Sequence, residues 1–164
     1  MSFKRQKPEL GQESVWDYPR PPRIEPVPER LKVIFNGRVV ADSAKGYRIL
    51  ETSHPPTYYI PREDINEEFL RPAAGQTFCE WKGRASYFDV VVEGREAIRV
   101  AWSYPSPTIP FLAIKGSVSF YAEPMDACYV GEEQVRPQPG NFYGGWVTSK
   151  VVGPFKGGPG TKGW

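Results

Sequence analysis

A dense group of chemically different side chains lies between Thr77 and Val90. Within it, Cys79, Trp81 and Lys82 supply a thiol, an indole and an amine, and two hydroxyls and a phenol flank them. Two adjoining β-like runs meet around Lys82 and the glycine that follows it. Polar groups this varied, set beside aromatic rings, exceed what a hydrophobic core requires. The pattern therefore predicts the lining of a pocket, although it does not specify a reaction.

The thiol of Cys79 and the imidazole of His54 are the candidate catalytic pair, because a cysteine nucleophile needs a nearby base. Sequence separation does not show whether the two side chains meet. A cysteine in the middle of a strand is more often a small packed apolar residue. His54 is followed by two prolines, a turn-like context in which a histidine commonly faces solvent or caps the backbone. Both interpretations stay open, and with them the question of whether the protein is an enzyme.

Lys82 lies between Trp81 and Gly83, and a glycine at that place allows close approach of the backbone. This setting suits contact with an anion or a carbonyl group, while the plain alternative is a solvated turn lysine. The aromatic residues nearby are core candidates first, but aromatic walls with a few polar groups also describe a ligand pocket. The candidate ligand-binding residues are Tyr59, Trp81, Lys82, Ser86, Tyr87, Trp102 and Tyr104.

Motifs for metal and phosphate binding are missing from the sequence. The chain has two cysteines, Cys79 and Cys128, and one histidine, whereas a structural zinc site needs about four such ligands. Gly160-Thr161-Lys162 is followed by glycine and does not complete a P-loop. Gly116-Ser117 is not followed by the paired acids that hold Mg²⁺ in nucleotidyl transfer. We therefore expect no metal site and no cofactor.

The charges are nearly balanced, with 21 basic and 19 acidic side chains and a net charge of +2. This balance lacks the basic excess of a dedicated nucleic-acid binder. No apolar run approaches the ~20 residues that span a bilayer, and the basic N-terminus lacks the apolar stretch of a secretory signal. The sequence thus favours a cytoplasmic protein without a nucleic-acid or membrane partner, and it leaves the oligomeric state open.

A length of 164 residues suits one domain with a real core. Six prolines in residues 1–30 favour an extended N-terminal arm, because proline removes a backbone donor and fixes φ. Residues 1–12 are polar and charged, and their order stays open. Residues 31–135 carry the strand signals and form the predicted domain. From residue 136 glycine and proline dominate, yet aromatic residues are too frequent for a free linker, so we expect residues 136–164 to wrap the domain.

The strongest local signal in the domain is Asn36-Gly37, which predicts a hairpin between two apolar runs. A short helix is predicted over residues 62–70, where Pro72 would end it. Alternation in the run 97–104 predicts one apolar face that includes Ile98 and Trp102. Further elements are predicted over 47–50, 57–60, 76–81 and 85–92, with a helical turn over 109–115 and a final hairpin of 118–121 and 127–130. The fold class is therefore mainly β: an antiparallel β-tent or barrel-like meander with one or two short helices.

Two motifs in the middle of the chain resemble the domain of unknown function 427 family. They are Cys79–Tyr87 and, after it, Ala101–Pro107, and the resemblance runs from about residue 31 to residue 121. Gly144-Gly145-Trp146 and residues 153–157 are similar to the tail of longer members. The family pattern usually has proline where Glu80 stands here.

The resemblance implies a β-tent fold, similar in architecture to methionine sulfoxide reductase B, Mss4 and the thalidomide-binding domain of cereblon. By analogy, aromatic side chains of the tent would form a pocket for a small molecule or a modified residue. Several relatives in that architecture carry a structural zinc on paired CxxC motifs, which this chain lacks. A nucleotidyltransferase label attaches to the family, although the motifs for that reaction are missing here.

The leading hypothesis is a metal-free β-tent module that binds a small polar-aromatic ligand or a modified peptide. The alternative is an enzyme that uses Cys79 or Lys82, on nucleotides if the family label applies. A third hypothesis is a scaffold that binds partners through its arm and tail. Clustering of Cys79, His54 and Lys82 within hydrogen-bond reach would favour the enzyme. A wide aromatic cleft without that cluster favours the binding module, and no cleft favours the scaffold.

Overall fold

The computed structural model describes residues 4–140 and 142–164, and most of its regular elements are β-strands. In chain order the strands are β1 (Glu13–Ser14), β2 (Arg23–Pro26), β3 (Leu31–Phe35), β4 (Arg38–Ser43), β5 (Tyr47–Leu50), β6 (Thr57–Tyr59), β7 (Leu70–Cys79), β8 (Gly83–Val92), β9 (Arg95–Ser103), β10 (Val118–Phe120), β11 (Ala127–Val130), β12 (Glu133–Gln134), β13 (Arg136–Pro137), β14 (Trp146–Val147) and β15 (Val151–Val152). Short 3-10 turns cover Val15–Asp17, Arg62–Asp64, Glu67–Phe69 and Ile109–Ile114. None of these turns, the only helical elements among the described residues, is long and apolar enough to cross a membrane.

Three antiparallel sheets form the body of the fold. The first sheet has the strand order β10-β9-β8-β7, the second β12-β11-β3-β4, and the third β2-β5-β6. Two short pairs complete the described part of the chain, with β13 antiparallel to β14 and β1 parallel to β15. The predicted mainly β, antiparallel fold class is thus confirmed, while the β-tent architecture stays a prediction.

The hairpin at Asn36-Gly37 forms as predicted and places alternate residues of β3 in the core. Asn36 and Gly37 both have positive φ, at 50° and 73°, as a tight two-residue turn requires. Leu31, Val33 and Phe35 on one face of β3 are buried, and they pack in a core that includes residues of the first and third sheets. The second sheet therefore covers one side of that core.

Residues 62–70 form two 3-10 turns, and the predicted helix is wrong. Ile65 lies between the turns in extended conformation and forms an isolated bridge with Ala41. The amide N–H of Asn66 donates to the Val40 carbonyl over 2.8 Å. Because these backbone groups bond to β4 and its surroundings, they cannot form the i to i−4 ladder of a helix. Pro72, expected to end that helix, lies within β7.

The predicted final hairpin and the apolar face of residues 97–104 also need correction. β10 pairs with β9 and β11 pairs with β3, so the two strands of the predicted hairpin lie in different sheets. In β9, Arg99 has φ of 52° and its amide donates to the Asp89 carboxylate over 2.8 Å. The register shifts at this bulge, so strict alternation is lost, and Ile98 is 60% exposed.

The N-terminal segment and the C-terminal segment both contact the sheets. β2 pairs with β5 along four residues, which makes the end of the proline-rich region an edge strand. In the tail, the indole N–H of Trp146 donates to the Phe120 carbonyl over 2.8 Å, and the Trp146 ring is buried. The division into an arm, a domain and a wrapping tail stays a prediction, but these contacts join the three segments through strands and core.

Candidate functional site

A pocket of about 540 Å³ lies beside the turn between β7 and β8. Four parts of the chain line it: the β5–β6 region, the tip of the β7–β8 hairpin, the end of β9 with the residues after it, and the tail around Tyr143. Its lining combines aromatic rings with a thiol, an amine, an imidazole and carboxylates. A cavity of this size is in the range of small-molecule sites.

Thr108 fixes the turn that carries Trp81 and Lys82. Its amide N–H donates to the Lys82 carbonyl over 3.1 Å, and its hydroxyl donates to the Trp81 carbonyl over 2.6 Å. Gly83 has φ of +108°, and a Cβ at this place would lie 3.4 Å from the Ser106 carbonyl oxygen. The space would admit a Cβ, so the positive φ is what requires glycine at this turn. The backbone of the turn is held in place while its side chains line the pocket.

Lys82 lies inside the pocket and is only 9% exposed. Its ammonium nitrogen lies 5.6 Å from the centroid of the Tyr104 ring. Within residues 4–140 and 142–164, that ammonium has no carboxylate at ion-pair distance and no hydrogen-bond acceptor. The side chain is mostly covered, but its ammonium is not among the fully buried polar atoms and faces the open space of the pocket. The structure thus differs from the simple alternative of a solvated turn lysine.

Tyr59 lines the same pocket, is 0% exposed, and carries a hydroxyl without a hydrogen-bond partner. No other described side chain has a buried polar atom in this condition. Burial raises the pKa of Tyr59, so the phenol keeps its proton and remains a donor. Trp102 and Tyr104 lie near enough to lower this pKa in part, but neither completes a hydrogen bond of normal geometry.

Aromatic rings from the sheet and the tail form the walls. The Trp102 ring packs against Tyr121 with centroids 4.7 Å apart, and Tyr59 lies 6.3 Å from Tyr104. Burial raises the pKa of Tyr121 to about 12. A Cβ on Gly144 would lie 2.1 Å from the Trp102 indole, so the tail backbone lies directly on that ring. Only glycine permits this contact, which makes the tail one side of the pocket.

His54 is held by the tail residue Gln138 in one tautomer. The Gln138 amide oxygen accepts the Gly145 N–H over 3.0 Å, so its nitrogen faces the other way and donates to the Lys156 carbonyl over 2.8 Å. The same nitrogen lies 3.1 Å from His54 Nδ1. Nδ1 must then be the acceptor, and the ring proton is on Nε2. The Nε2–H group faces the Glu51 carboxylate, 3.5 Å away.

The imidazole of His54 is neutral at neutral pH. Burial lowers its pKa to about 4, and the nearby cations Lys156, Arg20 and Lys82 contribute in the same direction. The Glu51 carboxylate by itself would favour a charged ring, but the effects of burial and of the three cations on the pKa are larger. His54 is therefore a buried hydrogen-bonding group, in contrast to the solvent-facing turn residue considered from the sequence.

Cys79 and His54 line one pocket but are not joined as a catalytic pair. Cys79 is half-buried and packs against the aromatic cluster around Tyr59. No hydrogen bond links its thiol to His54 in the described part of the chain, and the His54 ring is engaged by Gln138. A thiolate–imidazolium pair needs a charged imidazole, which the low pKa of His54 opposes. The other cysteine, Cys128, is buried, and burial raises its pKa to about 12.

The remaining candidate residues divide between the pocket and the surface. Trp81 and Tyr87 line the pocket, and the Tyr87 hydroxyl lies 2.8 Å from the Thr77 hydroxyl. The Arg99 guanidinium covers the Tyr87 ring at 4.2 Å. Ser86 does not join them, because it points to the opposite face of β8 and lies in a separate depression with residues 72–76.

Several pocket residues were not identified from the sequence. Glu51 lies just after β5, and Tyr121, Gln138 and Tyr143 come from the segments that follow β10. The signal that could have found the last group is the surplus of aromatic residues in the tail. No comparable signal marks Glu51 or Gln138, since their roles depend on the contact with His54.

No metal site stands out in the described part of the chain, where no three His, Cys, Asp or Glu side chains come together in a suitable group. The predicted absence of a metal and a cofactor stays a prediction. The pocket does contain acids, Glu51 and Glu80, but Glu80 is exposed at the rim and Glu51 faces His54 and Arg20. Neither is paired with Lys82.

Comparison with known proteins gives one family. A family model described as a domain of unknown function, DUF427, matches residues 23–131, which is more than half of the chain. The matched range runs from β2 through β11 and includes the β7–β8 turn, while the tail residues that line the pocket lie outside it. A search of curated proteins finds no match.

Proposed function

The chain belongs to the domain of unknown function 427 family, and from that premise we propose that it is a metal-free binding module for a small polar-aromatic ligand. The ligand, free or carried on a modified peptide, would enter the pocket beside the β7–β8 turn. A β-tent arrangement of the sheets is part of the same proposal. The observation that carries it is the aromatic lining of a pocket of about 540 Å³ that also holds Lys82 without an acid partner among the described residues.

Ring faces in this pocket support a planar ligand. Trp102, Tyr104 and Tyr121 present aromatic surface to the same space, and stacked or edge-on aromatic pairs add attraction beyond area burial. Trp102 and Tyr104 are themselves well buried, so their rings are held rigidly before any ligand arrives. A rigid wall loses little entropy on binding, which favours affinity.

The enzyme alternative has weaker support. Cys79 and Lys82 lie in the pocket, as a nucleophile would, but neither has a base at hydrogen-bond distance among the described residues. His54 is engaged by Gln138 and has a pKa of about 4, far below the range of an effective general base. The wide aromatic cleft without a joined catalytic cluster is the arrangement that favours the binding module.

Titration with neutral planar probes tests the proposal. Indole and benzamide are added to ¹⁵N-labelled protein, and chemical-shift changes are mapped while the melting temperature is followed. We expect shifts confined to residues of the pocket and a rise in melting temperature that grows with probe concentration. Tyr121→Leu, which removes one wall ring, should weaken binding, whereas Trp16→Leu, which removes an indole outside the pocket, should not. Shifts scattered over the surface, or equal binding by both variants, would contradict the proposal.

A further inference from the structure

Lys82 places an unpaired positive charge in the pocket. Its side chain is buried to 9% exposure, and its ammonium contacts the Tyr104 ring face without any acid or acceptor among the described residues. Buried charges in proteins are normally paired. The Lys82 ammonium therefore has three N–H donors and no acceptor for them in the protein itself.

The Tyr59 hydroxyl is a second donor near this pocket without a hydrogen-bond acceptor. Its hydroxyl is fully buried and has no hydrogen-bond partner, and burial keeps it protonated. Leaving such a group unsatisfied costs about 1–3 kcal/mol. No water-sized group reaches this oxygen in the structure, so the hydroxyl would contribute to binding only if the lining shifted as a ligand entered.

The two donors flank one ring. Lys82 Nζ lies 5.6 Å from the Tyr104 centroid, and the Tyr59 ring lies 6.3 Å from the same centroid. Both residues line the pocket together with Tyr104. An oxyanion held at the edge of this ring would accept directly from the Lys82 ammonium, which faces the pocket.

Charges around the pocket also favour an anion. Two further cations lie beside lining residues: the Lys156 ammonium is 5.4 Å from the centroid of the Tyr143 ring, and the Arg20 guanidinium is 4.0 Å from the Glu51 carboxylate. Of the two lining acids, Glu80 is exposed at the rim and Glu51 is turned toward Arg20, 4.0 Å away, and His54. An oxyanion would gain from the unpaired ammonium without displacing an existing ion pair.

We propose that the ligand of this pocket is an organic anion whose carboxylate or phosphate group binds the Lys82 ammonium. The inference rests on the proposed binding function and specifies its ligand class. The aromatic part of the ligand lies against the Trp102 and Tyr121 side of the pocket, and the oxyanion accepts hydrogen bonds from the ammonium. Charge-assisted hydrogen bonds of this kind are the strong ones in protein sites.

Matched probes measure the contribution of the charge. Benzoate and benzamide share size and planarity but differ in charge, and phenyl phosphate and inorganic phosphate separate the phosphate from its ring. Each probe is titrated by calorimetry into the wild type, Lys82→Met, Tyr59→Phe and Lys115→Met. Met keeps the length of lysine without its charge, and exposed Lys115 is the matched control.

We expect benzoate or phenyl phosphate to bind at least about tenfold more tightly than benzamide. Lys82→Met should remove this preference, whereas Tyr59→Phe, which deletes an inaccessible hydroxyl, and Lys115→Met should leave it nearly unchanged. A stronger signal from phenyl phosphate than from benzoate would identify the oxyanion as phosphate, and the reverse would identify it as carboxylate. Raised salt should weaken the binding of the anions more than that of benzamide.

The failures are distinguishable. Equal affinity for benzoate and benzamide, or a preference that survives in Lys82→Met, overturns the anion site and leaves the aromatic binding module standing. Inorganic phosphate binding as tightly as phenyl phosphate, and losing affinity in Lys82→Met, keeps the anion site but contradicts an aromatic ligand. Absence of binding by every probe overturns both proposals.

Discussion

Lys82 and His54 both place a nitrogen base in one pocket, but their hydrogen-bonding environments differ. His54 has an acceptor role toward Gln138 and a proton directed at Glu51, so both ring nitrogens have neighbours. Lys82 has only the face of an aromatic ring. Stability and binding place opposite requirements on Lys82, since an ammonium that is available to a ligand has no acceptor until the ligand binds.

Replacing Lys82 should therefore stabilise the ligand-free protein. Lys82→Met removes an unpaired charge from a mostly buried side chain and keeps the side-chain volume, and we expect a small gain of about 0.5 kcal/mol in unfolding free energy, or roughly 1–2 °C in melting temperature. Exposed Lys115→Met should change the melting temperature by less than that. Thermal melts of the two variants beside the wild type measure the difference. A clear loss of stability in Lys82→Met would place the ammonium in a structural network.

His54 should make the stability of the protein depend on pH. Its pKa is about 4 in the folded protein, whereas an unperturbed histidine has a pKa of 6.5. Between these two pH values the unfolded chain binds a proton that the folded chain does not. Stability is thus complete above pH 6.5 and falls as the pH decreases toward 4. Between pH 7.5 and 5.0 the loss should be about 2 kcal/mol.

Urea unfolding at these two pH values, for the wild type and His54→Gln, measures the effect. The chain has one histidine, so the variant retains no imidazole and should show a flatter pH dependence whatever its absolute stability. An equally steep dependence in His54→Gln would assign the effect to carboxylates instead.

At the scale of elements, the contact between the tail and β9 leaves no room for a side chain at residue 144. Gly144 lies against the Trp102 indole, where a Cβ would come within 2.1 Å. We expect Gly144→Ala to displace the tail, lower the unfolding free energy by roughly 1–3 kcal/mol and change the tryptophan fluorescence. Gly163→Ala is the matched control, because nothing lies within 4 Å of a Cβ there. Equal melting temperatures for the two variants would show that the tail can move aside freely.

Local turn chemistry made some elements predictable from the sequence. Asn36-Gly37 can adopt the two positive φ values of its hairpin without help from the rest of the fold, and that hairpin was predicted correctly. The segment 62–70 was not, because the Asn66 amide bonds to Val40 in β4 and Ile65 forms a bridge with Ala41, which interrupts the helical pattern after one 3-10 turn. β10 pairs with β9 and β11 pairs with β3, and the local residue pattern of β10 and β11 does not indicate these partners.

The same distinction applies to the candidate site. Six of the seven ligand-binding candidates line one pocket, and so do Cys79 and His54, since most of them lie in the β7–β8 turn or on strands paired beside it. Ser86 lies on the opposite face. The burial of Lys82 and the tautomer of His54 could not be predicted, because they depend on Thr108 and Gln138, which are remote in sequence.

At the scale of the whole molecule, the N-terminal segment contributes to the core. Val15 is fully buried and packs with Leu50, Val147 and Val151, so residues from both ends of the chain meet there. Tyr18 in the same cluster donates its hydroxyl to Glu13 over 2.8 Å, and Glu13 is paired with Arg48 at 3.0 Å. The core therefore extends beyond the predicted domain of residues 31–135.

Truncation of Val15 should show this contribution. Val15→Ala is expected to lower the unfolding free energy by about 2 kcal/mol, because it removes buried methyl groups and leaves a cavity. Leu10→Ala removes a larger but fully exposed side chain and should be close to neutral. Chemical denaturation of the two variants compares them directly. Similar midpoints would mean that the N-terminal segment is only loosely attached.

The parallel pairing of β1 with β15 has a consequence for the order in which the chain can fold. Gln12 donates to the Ser149 carbonyl across a sequence separation of 137 residues, and β1 and β15 pair beside this contact. During synthesis the N-terminal segment emerges early but must wait for the last strand before it can pair. Contacts between such distant segments are slow to form, because a long loop must close first. Until β15 is in place, Val15 lacks its packing partners Val147 and Val151, so a folding intermediate without this strand exposes apolar surface that favours aggregation.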